Sequence, residues 1–372
     1  MSANDNKAPV TDPIATLARL CSLERGAGAP PDLDAGGVAA LARVAAWHGV
    51  AGWLMKRLEE SYADWGATAA LLPALRPHMM GILRFNALVA GALLRVSDLL
   101  GRHGIEVAAL KGAALTGSLY GDAGVRATGD LDILVAQDKG DEAMRILAAD
   151  GATPWAEATA GRPDVMNLFC RHLPPLNYCG VRVEIHTKLW RELSGEVLID
   201  NAMSHTVQDG GALRLDDEAM LAHLCAHAHT HHALDGHMSL KWLIDIALLL
   251  RQDMSLLERS ERLFPNTKAD IEWAVSMCMS LLPSADRARL AQTGRAATPL
   301  TAKSLRGNDE PEALRSFRRA WAALKFAWRH GDGAGEKCSN VMATIRYAMS
   351  NSESLHPGES ALAAIMKRIF RK

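Results

Sequence analysis

The sequence lacks most of the motifs that would name an enzyme at once. It has no Gly-x-Ser-x-Gly elbow, no Walker-type phosphate loop and no Gly-x-Gly-x-x-Gly fingerprint, which argues against a serine hydrolase, a P-loop ATPase and a dinucleotide-dependent dehydrogenase. It has no CxxC pair either. Its six cysteines (Cys21, Cys170, Cys179, Cys225, Cys278, Cys338) are scattered, a usage expected of reduced thiols and not of a disulfide framework. No apolar signal region follows Met1, and the longest apolar runs, such as 87–94, are too short or interrupted to span a bilayer. A cytoplasmic protein without a membrane span is therefore expected. The formal net charge is only −1, so no basic excess points to nucleic acid and no acidic excess points to disorder.

What is present is a chain of 372 residues, 49% of them hydrophobic, long enough for a sizeable core and two or three domains. Ala, Leu and Arg are frequent, which favours helix. Residues 1–13 are polar and read as a frayed terminus. From Pro13 to Gly104 the apolar period is helical, as in Leu41, Val44, Ala45 and His48, with breakers at 26–31, Gly36-Gly37 and Pro73/Pro77. Residues 1–103 thus form a helical N-terminal region. The period then changes. Strands are expected at 105–110 and 130–136, helices at 113–120 and 138–149, and a hairpin of 172–178 and 181–186 turning at Cys179-Gly180. These compose an α/β core over 104–212. After Trp190 helix dominates, with helices expected at 216–233, 239–251, 268–282, 310–330 and 335–349, giving a helical C-terminal region over 213–372. The fold class is α+β: a small mixed β-sheet core flanked by N- and C-terminal helical regions. No internal repeat is visible.

The chemistry is concentrated in Thr128-Gly-Asp-Leu-Asp-Ile-Leu-Val135. Alternate strand residues share a face, so Asp130 and Asp132 emerge together, roughly 7 Å apart. Two like charges on an apolar strand repel and are costly to desolvate, and a divalent cation is the usual remedy. Phosphoryl and nucleotidyl transfer use a pair of such ions. In Val181-Arg-Val-Glu-Ile-His186 the valines face one way while Arg182, Glu184 and His186 face the other, which supplies a third carboxylate. Lys111 and Arg126 are cations in the neighbouring loops, suited to phosphate oxygens.

Leu110-Lys111-Gly112, Tyr120, Arg126, Asp130-Leu131-Asp132 and Glu184-Ile185-His186, in this order, resemble the polymerase β-like nucleotidyltransferase superfamily. More narrowly they resemble an uncharacterised bacterial nucleotidyltransferase family, over roughly residues 80–250. The resemblance implies that Gly112, between Lys111 and Ala113, is the phosphate-turn glycine, and that Asp130 and Asp132 bind two Mg²⁺ ions. Glu184 would complete the metal site or take the acceptor proton. One departure is Ala113, where the superfamily has Ser or Gly. A literal Gly117-Ser118 pair also occurs, but Gly112 is preferred because it directly follows an apolar strand. Tyr120 reads as packing. His186 reads either as an acceptor-side group or as a strand histidine satisfied by a neighbour.

The implied reaction is attack of an acceptor hydroxyl or phosphate, on a small molecule or peptide, upon the α-phosphorus of a nucleoside triphosphate. The alternatives are a catalytically inactive or antitoxin-like module that binds nucleotide or a partner, and kinase-like transfer of the γ-phosphate. Two further features stand apart. His223, His227, His229, His231, His232 and His237 crowd one stretch, and His223 and His227 have zinc-compatible spacing without the metalloprotease Glu. A structural or site-lining role is favoured for them, with His227 a candidate for the acceptor side. In 310–330 an aromatic stripe of Phe317, Trp321, Leu324 and Trp328 is flanked by Arg and Lys, which reads as a packed amphipathic helix with a solvated cationic face.

Overall fold

The structure is a computed structural model that describes residues 12–24, 30, 32–155, 173–191, 196–209, 212–235, 238–301 and 304–305. The helices expected at 310–330 and 335–349, and the start of the strand expected at 172, lie outside the described residues. Four N-terminal helices come first: α1 (Pro13–Cys21), α2 (Ala35–Trp47), α3 (Ala51–Ser61) and α4 (Thr68–Arg102). Asp12 opens α1 by accepting from the amide of Ile14, with Pro13 preorganised in the first turn. Asp34 does the same for α2 through Gly37. Gly49, with φ +68°, makes the corner between α2 and α3 that a side chain would strain.

Pro73 and Pro77 do not break α4, contrary to the sequence expectation. Both lie exposed, as does Ala69, so the carbonyls of Ala69 and Pro73 that lose their amide partners sit on the hydrated side of the helix. The uninterrupted helix that results is the one described helix long and apolar enough to cross a membrane by length and composition. Here it packs through Val89, Ala92, Leu93, Val96 and Leu100 on the other helices and the sheet.

The main sheet has seven strands in the order β3-β4-β5-β2-β1-β9-β8. They are β1 (Ala108–Ala109), β2 (Leu131–Leu134), β3 (Thr153–Pro154), β4 (Leu176–Tyr178), β5 (Val181–His186), β8 (Thr206–Asp209) and β9 (Ala212–Leu215); β6 (Leu189–Arg191) and β7 (Glu196–Ile199) form a separate ribbon. The short helix α5 (Lys111–Leu115) runs into a π-turn over Thr116–Tyr120, and α6 (Gly140–Ala149) follows β2. Cys179 (φ +53°) and Gly180 (φ +75°) both take the left-handed backbone of a primed turn, whose twist matches the β4–β5 hairpin. In β5, Val181, Val183 and Ile185 are buried on the side covered by α4 and α6.

Beyond the sheet come α7 (Asp217–Asp235), α8 (Leu240–Gln252), α9 (Leu256–Leu263), α10 (Lys268–Cys278) and α11 (Ser284–Gln292). Residues 219–228 of α7 are all buried, because α8, α9 and α10 surround it. The strands between Leu189 and Leu215 correct the expectation of helix after Trp190. They are three or four residues long and half-exposed at β8, too short to establish a period. The tightest helix-to-loop approach is at Gly52 of α3, where an added Cβ would lie 2.0 Å from the carbonyl oxygen of Gly124. Since that neighbour is backbone, Gly52→Ala is expected to lower unfolding free energy by about 2–3 kcal/mol, measured by urea titration. A value near zero would show that the loop is not held where it is described.

Candidate active site

The parallel pairing of β2 with β5 decides the site. Its register sets Leu131 opposite Val183 and Asp132 opposite Glu184. Directly paired residues share a face, so the two carboxylates meet on the side away from Val183 and Ile185. His186, two residues on, completes a buried group in which one ligand atom from each of Asp132, Glu184 and His186 lies within 4.8 Å of the others. The imidazole Nε2–H of His186 donates to Asp132 Oδ1 at 2.9 Å, and the Lys111 ammonium sits 3.0 Å from Oδ2. Burial pushes the Asp132 carboxyl up, but Lys111 and His186 outweigh it and hold the group well below the usual carboxylate range.

Glu184 has the opposite fate. Burial, then the charges of Asp132 and Asp130, raise its pKa to about 7, although the Arg182 guanidinium lies 2.7 Å from Oε1. Asp130 stands just before β2, half-buried, and is raised in the same way by burial and by Asp132. The structure therefore brings His186 into the tight group where the sequence placed Asp130. Asp130 is close enough to act on its neighbours electrostatically but is not one of the three.

Lys111 has φ +45°, a backbone conformation that costs a lysine on the order of 1–3 kcal/mol. The turn is fixed by its surroundings. A Cβ on Gly112 would meet Arg126 Nη1 and Thr128 Cγ2 at 2.8 Å, so only glycine lets the loop at 126–128 lie against this turn. Gly117-Ser118 falls in the π-turn instead, and with Ala113 it lines a groove of about 590 Å³ along α4 whose lining includes none of Asp130, Asp132 and Glu184.

Arg126 corrects the sequence expectation of a phosphate cation in an open loop. It is buried, and its Nε and Nη2 reach the two oxygens of Asp245 at 2.8 and 2.6 Å. Tyr120 donates to the same carboxylate at 2.6 Å. Burial disfavours the guanidinium charge, and Asp245 more than restores it. Removing one partner of such a pair typically costs about 3–5 kcal/mol, so this triad is a joint between α8 and the loop that carries Asp130.

Two further residues at this joint, Asn86 and Lys241, carry no local signal of the loop they hold. Asn86 of α4 donates to the carbonyls of Ala123 and Arg126, both at 2.7 Å, and accepts from the amide of Thr128. Asp245 itself is a buried acid on an apolar helix, with nothing nearby in the sequence to name Arg126 as its partner. Lys241 lies one turn before Asp245 on α8, and that i, i+4 spacing was the available signal for a polar face on an apolar helix. Its ammonium donates to the carbonyl of Ala127 at 3.2 Å.

The histidine cluster is packed aromatic structure. His227 makes edge contacts with His231 and Trp242, and His229 stacks on Trp273 while its Nδ1 lies 2.7 Å from Asp270. Among the described residues no three of these side chains converge as metal ligands.

The model of a family described as uncharacterised nucleotidyltransferase matches residues 34–284, most of the chain and more than the 80–250 span of the motifs. The chain belongs to that family. No curated protein and no solved structure gives a match. In this nucleotidyltransferase, Asp132 and Glu184 offer carboxylate oxygens that fit one divalent cation such as Mg²⁺ or Mn²⁺, with His186 beside them on Asp132. The electrostatic conflict at Glu184 is what such an ion would relieve.

The raised Glu184 value has two consequences of definite sign. Without metal, this carboxyl contributes stability below its ordinary value of 4.5 and loses it as pH rises through about 7. A dication bound through Glu184 would have to displace that proton, so its affinity is expected to climb with pH and level off above about 7. Calorimetric Mn²⁺ titrations from about pH 6 to about pH 8 should show the rise, and Glu184→Gln should remove it. A flat wild-type profile would mean that Glu184 does not gate the ion.

Proposed function

We propose that this family member is a polymerase β-like, dication-dependent nucleotidyltransferase that moves a nucleoside monophosphate from a nucleoside triphosphate to a hydroxyl or phosphate of a small molecule or peptide. The observation that carries the reading is the register of Asp132 against Glu184, which buries two acids side by side with cations at their edge. The acceptor oxygen would bond to the α-phosphorus as the bond from that phosphorus to pyrophosphate breaks. A bound dication would lower the pKa of the acceptor and neutralise phosphate charge.

The chain's own groups divide the remaining work. Asp132 and Glu184 would hold the ion, and His186 orients Asp132 through Oδ1. Asp130 would serve a second Mg²⁺ ion. Lys111, paired with Asp132 Oδ2, would offer its ammonium to a phosphate oxygen as well. Arg126, held by Asp245, positions the loop and leans on Gly112, so it acts on the nucleotide through that turn. Glu184 ionises near neutral pH, which also suits it to receive the acceptor proton.

Incubation with each α-labelled nucleotide, Mg²⁺ and a cell extract should yield labelled acceptor and pyrophosphate. Asp132→Ala should cut transfer by several kcal/mol, about 10³-fold or more, with an unchanged circular dichroism spectrum. Label moving only from the γ-position would show kinase chemistry, and undiminished transfer in the variant would remove Asp132 from the reaction.

A further inference from the structure

Lys241 is a cation that the transfer chemistry above leaves without a task. Its side chain lies across the α2–α3 corner, where a Cβ on Gly49 would meet Cδ at 3.0 Å. Its ammonium reaches the Ala127 carbonyl in the loop that leads to Asp130. Among the described residues no carboxylate lies within ion-pair distance of it: Asp245, one turn along α8, is taken by Arg126 and Tyr120, and Asp132 by Lys111. Burial, then the neighbouring Arg126 charge, lower its pKa to about 8, with Asp245 and Asp130 pulling the other way. An ammonium drawn out of water against one carbonyl is poorly compensated, and a second anion would compensate it.

Its position also says which anion. The Ala127 carbonyl that Lys241 reaches lies between Arg126 and Thr128, the two residues whose side chains a Cβ on Gly112 would meet at 2.8 Å. Lys241 is thus tied to the loop that lies against the Gly112 turn, which the nucleotidyl-transfer reading gives to the triphosphate. We propose that Lys241 anchors the terminal phosphates of the nucleotide, the part that departs as pyrophosphate. This rests on the nucleotidyl-transfer reading for its substrate, and the test separates the two.

Full-length protein is acetylated with an amine-selective reagent near pH 8, with and without inorganic tripolyphosphate and Mg²⁺, and Lys241 is followed by peptide mass mapping. Tripolyphosphate should protect Lys241 about tenfold or more. Calorimetry should show Lys241→Met binding tripolyphosphate about tenfold or more weakly, and Lys241→Arg recovering part of the loss. The wild-type labelling needs no variant to fold. Equal labelling with and without tripolyphosphate, together with unchanged affinity in Lys241→Met, overturns the assignment whether or not nucleotide is turned over. Protection in a protein that releases no pyrophosphate from any nucleoside triphosphate would sustain Lys241 as a polyphosphate anchor and sink the transfer reading alone.

Discussion

Parallel pairing of β2 with β5 forces two acids to share one buried spot, and the surrounding structure is arranged around that conflict. The backbone hydrogen bonds of the ladder fix the register, and the register leaves Asp132 and Glu184 no freedom to separate. The protein resolves the conflict unequally. Asp132 receives Lys111 and His186 and stays charged, while Glu184 is left near neutrality in its titration. A pair of carboxylates with such different proton affinities is suited to bind and release cations, because small changes in local charge move one partner between its two states.

Holding Asp130 beside this pair requires a loop to be rigid without secondary structure of its own. Contacts from four elements do this. Asn86 of α4 pins the backbone at three points, and Gly52 of α3 lets the helix approach the carbonyl of Gly124. The amide of Ala127 meets the carbonyl of Gly49 at the α2–α3 corner. Asp245 of α8 holds Arg126 from the other side. The helical regions before and after the sheet are therefore part of the site. Ser239 and Leu240 bind His48 through its carbonyl and ring nitrogen, which locks the start of α8 to the N-terminal helices. The family match, which runs from residue 34 through 284, spans all of these contacts.

Much of this was legible in the sequence wherever the signal was local. The alternation in Val181–His186 gave the face of Glu184, the Asp130-Leu-Asp132 spacing gave the acidic strand, and Cys179-Gly180 marked a hairpin turn. What stayed hidden depends on partners distant in the chain. Nothing near Arg126 announces Asp245, so an arginine in a glycine-rich loop looked free for phosphate. Nothing near Asn86 announces the carbonyls it binds in the loop. β9 could not be read because a four-residue strand has too few positions to show a period, yet it pairs with β1 and extends the sheet. His227 and its neighbours carried a metal-like spacing, but Trp242 and Trp273 fill the space around them.

The most direct measurement is anomalous scattering from crystals of the full-length protein soaked in Mn²⁺ with a non-hydrolysable nucleoside triphosphate analogue. The account predicts a manganese peak within about 2.0–2.3 Å of an oxygen from both Asp132 and Glu184. Manganese bound elsewhere, with the Lys111–Asp132 ion pair intact and the nucleotide away from the Gly112 turn, would contradict it.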